Sequence, residues 1–477
     1  MNDRAAVNAQ RWGRLFKAML PFADAATTEL PLRRLLRLSL FQISVGMATV
    51  LLTGTLNRVM ITELGVPAWI VALMVALPLV FAPLRALIGF KSDTHASVLG
   101  LRRLPYIWFG SLMQYGGLAI MPFSLLLLSG DVSGTAIYGT ATCAIAFLLV
   151  GAGLHTTQTA GLALATDLAD EDTRPRVVAL LYVMLLVGML ISAVAIGLLL
   201  ADFSHQRLIQ VIQGAAVVSL ILNLVALWRQ EARQPALTDP AKERPVFKEA
   251  WAAFMTGGRP ARLLIAVGLG AAAFAMQDIL LEPYGGEVLG LSVGGTTLLT
   301  AIWAFGALIG FGLAARGLSQ GRDAHRLAAY GMVIGVFAFA FVVLSDPLGS
   351  AWIFRLGTML IGLGGGLFAV GTLTAVMELG EAGGAGIALG AWGAVQATAA
   401  GIAMALGGGL RDLVGMMADA GQLGPGLQGP AVGYQAVYHI EIALLFAALV
   451  AIGPLARHAG SVQGRARGKF GLTEFPS

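Results

Sequence analysis

Apolar runs of about twenty residues recur along the whole chain, separated by short polar breaks. They predict membrane-spanning helices near 35–56, 67–90, 105–128, 136–162, 177–201, 208–228, 262–282, 295–315, 327–344, 351–377, 386–409 and 436–456. The runs are continuous, whereas spanning barrel strands would alternate over about ten residues. In lipid only helices and closed barrels satisfy every backbone group, so the pattern selects helices. The longest polar connection, 229–261, lies mid-chain and mixes proline with charge, which marks a linker.

Composition agrees with this reading. The 477 residues are 57% hydrophobic and 12% charged, with a mean hydropathy of +0.79, against about 25% charged for soluble domains. Net charge is +5, and its distribution says more than its sum. With the N-terminus inside, the inner segments hold 26 of the 31 basic residues; Arg58, Arg207 and Arg411 fall outside and Arg85 and Arg355 within spans. This asymmetry places both termini in the cytoplasm. The sequence thus divides into a basic N-terminal arm (1–34), a six-helix bundle (35–228), a cytoplasmic linker (229–261), a second six-helix bundle (262–456) and a cytoplasmic tail (457–477). The arm has no signal-peptide pattern. It reads either as an amphipathic helix on the membrane surface or as a disordered basic tail. The single cysteine, Cys143, excludes a disulfide or cysteine metal site within one chain.

The halves echo each other. Ala86–Phe90 (ALIGF) recurs as Ala307–Phe311, and the acidic pair Asp167/Asp170 after helix 4 is matched by Glu378/Glu381 after helix 10. Such matches at corresponding places suggest the parallel repeat of a six-plus-six transporter fold. No zinc-protease, phosphate-loop or nucleophile-elbow motif is present, so enzyme is the least favoured class, and nothing points to nucleic acid.

Four polar segments carry a family resemblance: LNRVMITELGVP (56–67), GLRRLPY (100–106), HTTQTAGLALATDLA (155–169) and QDILLEPYGG (277–286). With GFKSD (89–93), they resemble the bacteriochlorophyll delivery family of PucC and LhaA type within the major facilitator superfamily. Six residues separate Asp93 from Gly100, where the general superfamily pattern has two. Length and the basic arm favour the LhaA type, associated with the core antenna. The resemblance implies an all-α polytopic fold of twelve helices in two halves, in the inner (intracytoplasmic) membrane of a purple phototroph. It implies assembly of light-harvesting complexes, with bacteriochlorophyll a as transient cofactor. Antenna polypeptides are the implied partners, with the reaction centre or pigment-synthesis enzymes beside them. The competing class is a proton-coupled secondary transporter of a small or apolar solute; a third reading is a scaffold that binds antenna helices laterally without pigment.

Asp278 and Glu282 stand one helical turn apart at the end of a long uncharged run. Two carboxylates at that spacing repel unless one is protonated or a cation is near. Arg58, at the outer end of helix 1, is the expected cation, in an outer polar cluster of Asn57, Arg58, Gln277, Asp278 and Glu282. Pro283 is expected to end helix 7. The cluster reads as a pigment, peptide or proton site, or as an ion-pair latch, which is favoured. His155, followed by Thr156, Thr157, Gln158 and Thr159, is a candidate ligand for the magnesium of a chlorin, as is His439; a hydrogen-bonded packing role is the plainer reading of both. Gln158, Gln277, Asp278 and Glu282 complete the candidate ligand set. By resemblance Arg85, Gly89, Asp93, Arg102, Arg103, Asp167, Asp170, Arg174, Glu378 and Glu381 form an inner gate, with a gating or structural role favoured over substrate contact. The spacings Gly306-xxx-Gly310, Gly331-xxx-Gly335 and Gly386-xxx-Gly390 predict close helix packing.

Overall fold

A computed structural model describes residues 27, 30–80, 88, 92, 101–128, 136–170, 174–231, 259–380 and 385–459. The first 26 residues, most of the linker and the tail beyond 459 lie outside these, as do Arg85, Gly89, Asp93 and Glu381.

The secondary-structure elements among the described residues are all helices. In chain order they form α1 (Leu32–Glu63), α2 (Ala68–Val80), α3 (Leu104–Leu128), α4 (Ala136–Leu168), α5 (Arg174–Leu199), α6 (His205–Leu227), α7 (Pro260–Glu287), α8 (Val293–Ser319), α9 (Ala324–Ser345), α10 (Ala351–Gly380), α11 (Ala385–Asp419) and α12 (Ala431–Ala459). Eleven are long and apolar enough to cross a membrane; α2, described over thirteen residues, is the shorter twelfth. The chain is a polytopic membrane protein of two six-helix halves. Most helices run several residues beyond their apolar windows, because polar ends can extend past the hydrocarbon without losing helical hydrogen bonds.

Small residues set the closest helix contacts. A Cβ at Gly306 or Gly310 would strike the α10 backbone at Met359 or Leu363, and one at Gly331 would meet Gly364. These spacings therefore serve packing inside the second half; the side-chain surroundings of Gly386 and Gly390 are not among those described. An aromatic group, Tyr284, Tyr434, Tyr438, Phe339 and Phe354, fills the space between α7, α9, α10 and α12.

Two helices depart from α geometry where they face each other. α1 widens to π geometry over Val50–Thr55 and again over Val59–Glu63. α7 tightens to a 3-10 turn over Met276–Ile279 and resumes as α-helix over Leu281–Glu287. Pro283 explains the second departure. It cannot donate to Ile279, and its ring would clash with that carbonyl in a continuous helix. Pro283 sits instead in the first turn of the resumed segment, where its missing N–H costs nothing. The expectation that it ends the helix is corrected: the break lies upstream of it.

Candidate functional site

The irregular segments, toward the C-terminal ends of α1 and α7, pack against each other and bring together the polar residues of both. Asn57 Nδ2 donates to Thr53 O in its own helix and to Asp278 O across the interface at 3.3 Å. Gln277 Nε2 donates to Phe274 O at 3.1 Å and to the carboxylate of Asp278. Glu282, buried, accepts from Thr300 Oγ1 of α8 at 2.6 Å. Gly54 makes room for it: a Cβ there would lie 3.0 Å from Thr300 Oγ1 and closer still to the Glu282 carboxylate. Thr55 and Thr297 hydroxyls share a 3.1 Å hydrogen bond nearby.

Arg58 corrects an expectation. It forms its ion pair with Glu63, in its own helix, rather than with Glu282, and its Nη2 donates to Leu291 O at 3.4 Å. The π geometry is the reason. With i→i+5 bonding, residues five apart fall on nearly one side of the helix, which puts Glu63 over Arg58. Gly286 lies flat beneath the guanidinium, its Cβ position 3.0 Å from Nη2. At the same end of the bundle, Arg411 pairs with Glu287 and with Asp412, lies over the face of the Tyr434 ring at 4.6 Å, and so joins α7, α11 and α12.

Two cavities adjoin this region. One, of about 270 Å³, is lined by Thr53, His155, Gln277, Asp278, Glu282 and Thr300 among others. The second, of about 610 Å³, is mostly apolar, walled by Phe274, Trp303, Phe311, Phe368 and Trp392, and lies toward the end at which α1 begins. Asp278 and Trp303 line both. Tyr182, Asp278 and Gln396 are the polar exceptions beside the two tryptophans in the larger cavity.

The remaining candidates separate. His155 is in the wall of the smaller cavity. Gln158 donates to Gln42 Oε1 at 3.4 Å within the first half and lines neither cavity. His439 is exposed on the outer surface of α12, its Nδ1 2.6 Å from Gln435 O. Arg102 and Arg103 both reach Asp167 of α4, at 2.6 and 3.0 Å, and Arg103 also reaches Ser92 Oγ at 2.6 Å. These bonds tie helix ends within one half rather than across the two. Asp170 and Glu378 are exposed, and Arg174 opens α5, its side chain not among those described.

Several residues were not singled out by sequence. Glu231 accepts the backbone N–H groups of Arg102, Arg103 and Leu104, capping α3. Glu441, within α12, is fully buried beside the Gln277 backbone and Asp278. A carboxylate inside an apolar span is itself a sequence signal, whereas the partners of Glu63, Glu231 and Glu287 depend on chain irregularity and tertiary contact.

Comparison with known proteins agrees with the geometry. The chain is 57% identical over 474 residues to the "Uncharacterized protein in puhA-bchM intergenic region" of Rhodobacter capsulatus, covering 98% of each. It is 55% identical over 420 residues to Protein PucC of Rhodovulum sulfidophilum, covering 87% of this chain and 92% of that one. Among solved structures, the nucleoside transporter NupG superposes with a TM-score of 0.62 at 16% identity, covering 88% of this chain and 98% of NupG. That likeness establishes the major facilitator fold. The sequence model of the family described as PUCC protein matches residues 55–460, and the chain belongs to that family.

Proposed function

We propose that this protein is a non-enzymatic assembly factor for photosynthetic light-harvesting antenna, serving the core complex. It holds bacteriochlorophyll a, or an antenna polypeptide carrying it, at its intramembrane surface and passes it to the growing antenna. Family membership and high identity to PucC proteins of purple bacteria support the reading. The Lys and Arg asymmetry supports placement in the inner membrane with both termini cytoplasmic.

The observation that carries the pigment part is His439. A backbone carbonyl only accepts, so the 2.6 Å contact with Gln435 O puts the hydrogen on Nδ1. Nε2 of the neutral ring is then the nitrogen with a free lone pair, on an exposed ring at the lipid-facing surface. A carbonyl bonded to the other ring nitrogen, fixing the tautomer, is the usual support of a metal-ligating histidine. Ala443, Phe446 and Val450 continue the same exposed stripe of α12. The small Ala443 one turn on leaves space for a flat macrocycle against the helix. His439 Nε2 would be the atom that holds the magnesium of a bacteriochlorophyll there.

The test is to purify the protein from a phototroph that makes bacteriochlorophyll but lacks antenna polypeptides, and to record its near-infrared absorption. Retained pigment that is lost in His439→Phe supports the reading; equal retention in the variant removes His439, and a colourless protein removes pigment carriage. The two internal cavities favour a second reading, solute transport, which uptake in proteoliposomes separates from antenna assembly.

A further inference from the structure

The two cavities differ in chemistry yet share two wall residues, and the hydrogen-bond inventory of the smaller one is lopsided. Both amide hydrogens of Gln277 are engaged, by Phe274 O and the Asp278 carboxylate. The hydroxyls of Thr49, Thr53 and Thr300 donate to Val45 O, Thr49 O and Glu282 Oε1. Apart from the ring N–H groups of His155 and Trp303 and any carboxyl proton on Asp278 or Glu282, the polar wall therefore offers oxygen acceptors. Two of these have no hydrogen-bond donor among the described residues: Gln277 Oε1 and Glu282 Oε2, on side chains each 2% exposed. Two carboxyl groups, Asp278 and Glu282, line the chamber, and among the described residues no lysine or arginine does. Arg58 does not line it: the guanidinium is bonded to Glu63 and Leu291 O, though its charge still reaches Glu282.

Buried acceptors without donors carry a desolvation cost that a ligand rich in N–H groups removes. An ammonium supplies three donors and a charge opposite to the carboxylates. The adjoining cavity, of about 610 Å³, is walled by Phe274, Phe311, Phe368, Trp303 and Trp392 and suits an apolar or aromatic body. The larger volume falls within the scale of small-molecule sites, about 300–1,000 Å³, and the smaller adds a polar annex just below it. We propose that the paired cavities bind an amphipathic organic cation, with its protonated amine among Gln277, Asp278 and Glu282 and its apolar body against the aromatic wall. Trp303, which lines both chambers, stands at the junction of head and body. This site is separate from the exposed face of α12 and does not rest on the antenna reading; it names the class of solute that the cavities would accept.

The test uses the purified full-length protein and dansylcadaverine, a primary ammonium on a flexible chain carrying an aromatic ring. Its N-acetylated form keeps size and ring and loses the charge. Saturable binding with a blue-shifted emission is expected for the amine, with the acetylated form weaker by about tenfold or more. Asp278→Asn and Glu282→Gln should each weaken the amine by a similar factor without changing the acetylated form. Equal binding of the two probes to the unaltered protein overturns the proposal, as does the absence of saturable binding; neither outcome needs a variant to fold. Pigment retention measured on the same preparations tests the antenna reading separately, since amine binding and pigment retention can each fail alone.

Discussion

The carboxylate of Asp412, in α11, accepts the backbone N–H of Trp69, in the first turn of α2, at 2.8 Å. This bond crosses from the second half of the protein to the first and caps a helix with a residue 343 positions away. The same Asp412 receives Arg411, which holds Glu287 and the Tyr434 ring. One side chain thus serves both helix capping and closure of this face, and adds to the contacts between the halves. Asp412→Ala should cost about 0.5–2 kcal/mol, as loss of a cap does. Asp412→Asn, which keeps an acceptor oxygen, should cost less. Thermal unfolding in detergent measures both, and equal losses would deny the capping role.

Arg58 and Glu63 should respond asymmetrically. The Arg58 side chain is 5% exposed and that of Glu63 is 33% exposed. Arg58→Met leaves a carboxylate that water can reach. Glu63→Gln leaves a guanidinium buried without its counter-charge, and loss of about 3–5 kcal/mol is typical of that case. Unfolding of the two variants should therefore rank Glu63→Gln as the less stable. The reverse order would mean that Glu282, not Glu63, holds the guanidinium.

Gly54 is required where Glu282 leans against α1. Gly54→Ala should destabilise by about 1–3 kcal/mol through crowding of the Glu282 and Thr300 side chains. Truncation of the crowding group should relieve this, so the Gly54→Ala/Glu282→Ala double variant should lose less than the sum of the singles. Additive losses in a double-mutant cycle would show that the two residues are not in contact.

Asp323 precedes α9 and accepts the N–H groups of His325 at 2.7 Å and Arg326 at 3.3 Å. Burial raises its pKa, and the hydrogen bonds and charge of His325 outweigh burial, leaving it below the ordinary carboxylate value. A group depressed on folding stabilises fully above its unfolded pKa, about 3.9, and that contribution is lost as pH falls through the lower folded value. Thermal stability should therefore fall more steeply below about pH 4 in the unaltered protein than in Asp323→Asn. Parallel profiles would show that Asp323 titrates alike in both states.

Glu231 caps α3 at three successive backbone N–H groups. Glu231→Ala should cost about 1–2 kcal/mol, and Asp167→Asn less than about 1 kcal/mol because Asp167 is partly exposed. Unfolding measurements that reverse this order would place the strength of that helix end in the ion pairs.

Much of this protein was written in the chain itself. Continuous apolar runs cannot stay in water and cannot leave backbone groups unpaired in lipid, so the helices, their number and their order follow from hydropathy. Long polar motifs such as 277–286 carried the family. Sequence also placed Asn57, Gln277, Asp278 and Glu282 in one neighbourhood, since helices 1 and 7 hold equivalent places in the two halves. What it could not fix was which groups touch. The partner of Arg58 was decided by π winding of α1, which rotates Glu63 over it. The break in α7 was set upstream of Pro283 by a hydrogen bond the proline cannot make. His155 and His439 look alike in sequence, each an imidazole within an apolar helix, yet one lines an internal chamber and the other faces outward. Hydropathy reports how much apolar surface a segment must bury, whereas the rotation of a helix about its axis is fixed by the neighbours it packs against, and that is known only once the bundle is assembled.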